Sequence, residues 1–200
     1  GSNTAVGSGA LDANTTGIGN TAVGYESLSD ISTTNYSPAV GYQTLTKDTA
    51  GSNAGVGAFA LDANTSGTRN TAIGYGALST IATNADCVAA GYNALVLTTG
   101  AKNIAIGAYA GDTISTGASN LAVGYDADVP TATVSIQMNI GGLLWSGGYN
   151  TAAGSAVSTG GLGLGGMPAA GALLSIETGG VGRNLVTSVG LGIDVEADSI

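Results

Sequence analysis

The residues that could do chemistry are few. The chain has no histidine and one cysteine, Cys87. Ser-His-Asp triads and Cys-His dyads are therefore ruled out. A zinc cluster and an intrachain disulfide are ruled out by the same count. A pair of carboxylates could cleave a glycoside. The acids are scattered, however, and the sequence brings no two of them together, so the chain reads as non-enzymatic, with no metal and no cofactor. Asp12-Ala13-Asn14 and Asp62-Ala63-Asn64 recur fifty residues apart. Such oxygen-bearing triplets could ligate calcium. Without the nonapeptide calcium-roll motif, the expectation is side chains capping their own turns. The remaining candidates are aromatic. Tyr25, Tyr42, Tyr75, Tyr92 and Tyr125 stand at related positions, and Trp145 is the only tryptophan. Rings of this kind contact receptors because they give area at low entropy cost. They also pack along an edge with the hydroxyl wet, and Trp145 suits an apolar plug as well as a binding hot spot.

What positions these residues is a repeat. Glycine recurs as Gly7, Gly24, Gly41, Gly57, Gly74, Gly91, Gly107 and Gly124, at intervals of 17, 17, 16, 17, 17, 16 and 17. Residues 1–50 and 51–100 align without a gap and agree at about half their positions. Four places before the glycine stands Asn3, Asn20, Ser37, Asn53, Asn70, Cys87, Asn103 or Asn120. Two before it lies a tiny residue, usually Ala. One before it lies a Val or Ile column, and four after it a Leu column that fails at Gly111 and Asp128. The five tyrosines each follow the glycine directly, while Ser8, Ala58 and Ala108 fill the other three places.

In a strand, an odd spacing puts two side chains on opposite faces. The Val and Leu columns are five apart and both apolar. The expectation is that both are buried, with the chain turning at the glycine, which tolerates positive φ. A second corner falls at Asn14–Gly17 and Asn64–Gly67. Each repeat then reads as two short strands and two corners, one coil of an all-β, parallel solenoid of about eight 16–17-residue coils, stacked about 4.8 Å apart. Gly, Thr, Ser and Asn are poor helix formers, which argues against helical repeats. The Asn column is expected to form a stacked ladder between coils, in which Cys87 is an inert replacement.

Composition agrees. Glycine contributes 35 of 200 residues, only 8% are charged and 44% are hydrophobic. Disordered chains have the opposite balance, and collagen's strict third-place glycine is absent. Net charge is −9, so no basic stripe exists for nucleic acid. The apolar stretch at 160–174 is too short and glycine-rich to insert in a membrane. A coil this thin buries little surface alone, so association with other chains is expected.

The phrases Asn20-Thr-Ala-Val-Gly-Tyr25 and Asn70-Thr-Ala-Ile-Gly-Tyr-Gly-Ala-Leu78 resemble the head repeats of trimeric autotransporter adhesins, and still more the repeats of phage tail fibres and tailspikes. The likeness covers residues 1–128. It implies a left-handed parallel β-roll, three chains about one axis. Residues 129–200 are expected to form a β-rich, Gly-rich segment packed between chains, since Val134–Gly141 alternates apolar and polar residues. Ser158-Thr-Gly-Gly-Leu-Gly-Leu-Gly165 resembles a segment of phage fibres that precedes a self-cleaving chaperone. That chaperone needs a Ser–Lys pair, and no lysine follows Lys102, so it is expected to be missing. The resemblance implies a homotrimeric attachment fibre of a phage tail, outside the cell. Its partners would be other virion tail proteins and a bacterial surface receptor, glycan or outer-membrane protein. The alternatives are a bacterial adhesin head on the cell surface and, more distantly, an ice-binding solenoid. Ice binding wants a regular Thr array, and Ala54, Val88, Ile104 and Leu121 interrupt the column of Thr4, Thr21 and Thr71.

Overall fold

The computed structural model describes residues 2–141 and, beyond them, short strands within 144–164. It is a parallel β-solenoid. Only one of the two strands expected per coil forms, because the stretch after the glycine, with its Leu at positive φ, is turn rather than extended backbone. The one three-residue strand precedes each repeat glycine: β1 (Thr4–Val6), β2 (Thr21–Val23), β3 (Pro38–Val40), β4 (Ala54–Val56), β5 (Thr71–Ile73), β6 (Val88–Ala90), β7 (Ile104–Ile106) and β8 (Leu121–Val123). Each pairs in parallel with the next, column on column, as in Ala5↔Ala22 and Ala72↔Ala89. The ladder runs on past residue 128. A ninth strand, β9 (Met138–Ile140), pairs in parallel with β8, and Gly141 follows it 17 residues after Gly124. Then the direction changes. β10 (Leu144–Ser146) pairs antiparallel with β9, and β13 (Leu162–Leu164) antiparallel with β10. The short β11 (Tyr149–Asn150) and β12 (Val157–Ser158) pair with each other. Trp145 lies in β10, and its expected role as plug or hot spot concerns a side chain outside the described residues.

The repeat glycines form one corner, as expected. Gly7 through Gly124 hold φ between +130° and +149°. Their second reason was not visible in the spacing. A Cβ on Gly24 would lie 2.1 Å from the carbonyl oxygen of Gly41 in the next coil. Positive φ does not stop at glycine. The Leu column itself, Leu11, Leu28, Leu45, Leu61, Leu78 and Leu95, sits at φ 52–55°. Left-handed backbone is disfavoured for a branched residue, and here the core requires it, because that geometry turns the side chain inward.

The Val column is not buried, contrary to expectation. The core has two walls, and the strand contributes its Ala column: Ala22, Ala39, Ala72, Ala89, Ala105 and Ala122 are all at 0% exposure. Val6 (58%), Val56 (45%), Ile73 (50%) and Ile106 (48%) face out. Adjacent strand residues must take opposite faces, and the interior is too narrow for a branched chain on both walls. A Cβ at Gly55, in the Ala column, would lie 3.3 Å from Leu45 Cδ1. The small column is inside because the Leu column already fills the space.

The superperiod lies in a third core column, seven after the glycine. It reads Asn14, Ile31, Asp48, then Asn64, Ile81, Thr98. Asn14 Oδ1 accepts the Gly17 N–H (3.1 Å), the expected turn cap. Ile31 and Ile81 fill the core. Asp48 and Thr98 belong to the 16-residue coils. Asp48 Oδ1 accepts the N–H groups of Ala50 (3.2 Å) and Gly51 (3.3 Å), and Thr98 Oγ1 accepts that of Gly100 (3.3 Å). The side-chain oxygen closes a turn one residue shorter.

Candidate functional site

The Asn column is structural. Each side chain spans two coils: Asn70 Oδ1 accepts the Cys87 N–H (3.0 Å) and its Nδ2 donates to the Asn84 carbonyl (2.8 Å). Asn20, Asn53, Asn103 and Asn120 repeat the pattern. The expected ladder exists, but amide binds backbone rather than amide. Cys87 is buried at 0% exposure, and burial pushes its thiol up, which suits an unreactive thiol.

The tyrosines do come together. Tyr25 and Tyr42 stack at 5.2 Å with rings 12° apart, and Tyr75 and Tyr92 at 5.2 Å and 10°. Two residues outside the tyrosine column, not foreseen from the sequence, join them. Phe59 stands between Tyr42 (5.3 Å, 70°) and Tyr75 (5.6 Å, 80°). Tyr109 stands between Tyr92 (5.2 Å, 61°) and Tyr125 (6.2 Å, 84°). Where the coil carries Ala58 or Ala108 after its glycine, the aromatic has moved one residue on. Seven rings thus form one unbroken ladder, and Tyr25, Tyr42, Tyr75, Tyr92 and Tyr125 remain 45–77% exposed.

A trough runs beside the ladder. One wall is the column two after the glycine: Gly9, Glu26, Gln43, Phe59, Gly76 and Asn93. The other is five after: Asp12, Ser29, Thr46, Asp62 and Ser79. It consists of two open grooves, about 370 and 440 Å³, which share Asp62. Gln43 Nε2 donates to Glu26 Oε2 along the first wall (2.7 Å). The same columns lead to Asp112 and Asp126, whose carboxylates lie with that of Asp128 within 4.8 Å of one another. The sequence could not place two carboxylates side by side, and the fold places three. Oxygen donors this close could hold a cation.

Three acids titrate high. Burial raises Asp48 against hydrogen bonds from Gly51, Ser37, Ala50 and Asn53. Burial raises Asp62. Burial, then Asp128 and Asp126, raise Asp112. The hydrogen bond from Gln43 lowers the half-buried Glu26, and that from Arg69 lowers the half-buried Asp86 (Arg69 Nε to Asp86 Oδ1, 2.6 Å). Above the ordinary 3.8 of an aspartate, the raised groups hold protons in the folded chain that the unfolded chain has released. By linkage their effect is a loss of stability as pH rises through that window. Thermal stability should therefore rise as pH falls through the raised range towards about 4, the opposite of ordinary acid denaturation. Asp48→Asn, which removes the titrating group, should flatten the profile. Melting curves across the pH range check both.

Comparison with known proteins adds no neighbour: no family model, no curated protein and no solved structure matches the chain.

Proposed function

We propose that the chain is a segment of a homotrimeric attachment fibre, of the phage tail-fibre kind, that presents a receptor-binding surface to a bacterial envelope. It works by multivalent, non-covalent contact, in which weak sites add through effective concentration. It would sit outside the cell on the virion tail, among other tail proteins. No covalent step is assigned to it.

The observation that supports self-association is the outer strand face. The columns at Thr4–Met138 and Val6–Ile140 carry no charged residue in nine coils. Val6, Val40, Val56, Ile73, Ile104 and Ile106 are 39–58% exposed on it. Nine strands at about 4.8 Å give a flat apolar strip about 40 Å long. Apolar patches of this extent mark contact surfaces. The carboxylates lie elsewhere, so this is where copies of an acidic chain approach with least repulsion. The Thr column lies on the same face, interrupted by Pro38, Ala54, Val88, Ile104 and Leu121, which leaves no regular array for ice.

Sedimentation before and after heating in detergent tests the reading. A compact, heat-resistant trimer is expected, and Ile73→Lys with Ile106→Lys should shift it to monomer. A wild-type monomer would sink the fibre, and a trimer indifferent to both substitutions would move the interface off this face.

A further inference from the structure

We infer that the trough beside the aromatic ladder is a binding site for an extended glycan, neutral or amine-bearing, and that it rejects polyanionic ones. The inference rests on the attachment reading and names the ligand class. Four features carry it.

First, the trough is periodic. Its walls repeat at every coil, and the aromatic centroids beside it advance 5.2–6.2 Å at a time. A repeating surface suits a repeating ligand, and this step is close to that of one pyranose in an extended chain. Second, its polar groups are of the kind that read hydroxyls. Glu26, Gln43, Asn93 and Asp62 offer planar amides and carboxylates along it, each able to accept from a sugar hydroxyl.

Third, one ring is turned. In the Tyr25–Tyr42 and Tyr75–Tyr92 pairs the rings cover one another's faces. Phe59 stands 70–80° from both neighbours and lines the groove wall. It is the ring whose orientation breaks the stack where the two grooves meet. This moves the principal aromatic contact from the five tyrosines to Phe59; Tyr109, fifty residues on, is turned from both its neighbours in the same way but lies outside the two grooves.

Fourth, the charge is one-sided. The first groove holds Asp12, Glu26, Asp30 and Asp62 against Lys47 alone, and the same columns end on the cluster at Asp112. Clefts lined by one sign of charge concentrate ligands of the other sign. Sulfated or phosphorylated chains are repelled, neutral chains accepted, and chains with free amines favoured.

The test uses the full chain and three oligosaccharide probes of equal length: a β-linked amino-sugar oligomer with free amines, its fully N-acetylated form, and a sulfated oligomer. Calorimetry should rank the free-amine form above the acetylated form and give no heat with the sulfated one. Rising salt should weaken the free-amine probe and spare the acetylated one. Phe59→Ala should lower affinity for both by about tenfold or more, as loss of a central aromatic anchor does. Asp62→Asn should weaken the free-amine probe preferentially. Ser66→Ala, exposed at the Asn64–Gly67 corner and outside both grooves, should change neither. Tight binding of the sulfated probe, or affinity unchanged by Phe59→Ala in a protein that melts normally, overturns the assignment. So does a basic peptide that binds while no glycan does. A trimer by sedimentation that binds none of the three probes overturns the glycan site and leaves the fibre standing.

Discussion

Gly91→Ala is expected to remove the folded state, or to lower stability by about 4 kcal/mol or more, the range reserved for the most disruptive substitutions. Two terms add. The backbone at Gly91 has φ +149°, in a region that only glycine populates readily, at a cost of about 1–3 kcal/mol for other residues. The new Cβ would then lie 2.2 Å from the Gly107 carbonyl oxygen, 2.4 Å from its carbon and 2.8 Å from the Ala108 nitrogen. These are backbone atoms of the next coil. They cannot retreat, because the Gly107 N–H is bonded to the Ala90 carbonyl (2.8 Å). Relief would have to open the spacing of the whole stack. Gly76→Ala makes the control. Gly76 also has positive φ (+63°), but its Cβ would meet only the side chain of Asn93, and Glu26, Gln43 and Phe59 occupy the same column at φ 49–60°. It should cost about 1–2 kcal/mol. Circular dichroism melts of the two variants check the contrast. If Gly91→Ala melted like Gly76→Ala, coils this closely stacked could not be right.

The glycine period made the coil legible, since nothing else repeats at 16–17 residues with Asn, Ala and Leu in fixed places. Direction was harder. Whether the Ala column or the Val column faces inward depends on how wide the coil is, and a list of spacings carries no width. Leu78 in the interior and Ala72 opposite it decide the matter only once the second wall is built. The Leu column also hid its left-handed backbone, because branched residues are the last to be assigned there. In the site, the five tyrosines stand in one column of the sequence, whereas Phe59 and Tyr109 lie one residue out of it. Their signal was present: each follows an alanine that replaces a tyrosine, and they are fifty residues apart. The trough was not visible at all. Its walls are two columns three residues apart, Gly9 with Asp12 and Phe59 with Asp62, and only the corner between them makes a groove.

The second large effect belongs to Asn103→Ala. Asn103 is fully buried and makes four contacts from one amide. Its Nδ2 shares two hydrogens among three acceptors, the carbonyls of Gly117 (2.8 Å) and Gly100 (3.0 Å) and Thr98 Oγ1 (3.0 Å), and its Oδ1 accepts the Asn120 N–H (2.9 Å). Alanine leaves the Asn120 N–H and the Gly117 carbonyl without these partners in a place water does not reach. Each such orphan costs about 1–3 kcal/mol, so a loss of about 3 kcal/mol or more is expected. Asn103→Asp should do no better. It keeps an acceptor for Asn120 but presents a second oxygen to two carbonyls, with a buried charge besides. Asn103→Ser should fall between, since Ser37 fills the same column in another coil. Thermal melts give the ranking, and hydrogen exchange locates the cause: the Asn120 amide should lose protection in the alanine variant before amides two coils away. Uniform loss of protection along the solenoid would instead mean that the coils unfold as one unit. The ladder would then act through global stability rather than by joining one coil to the next.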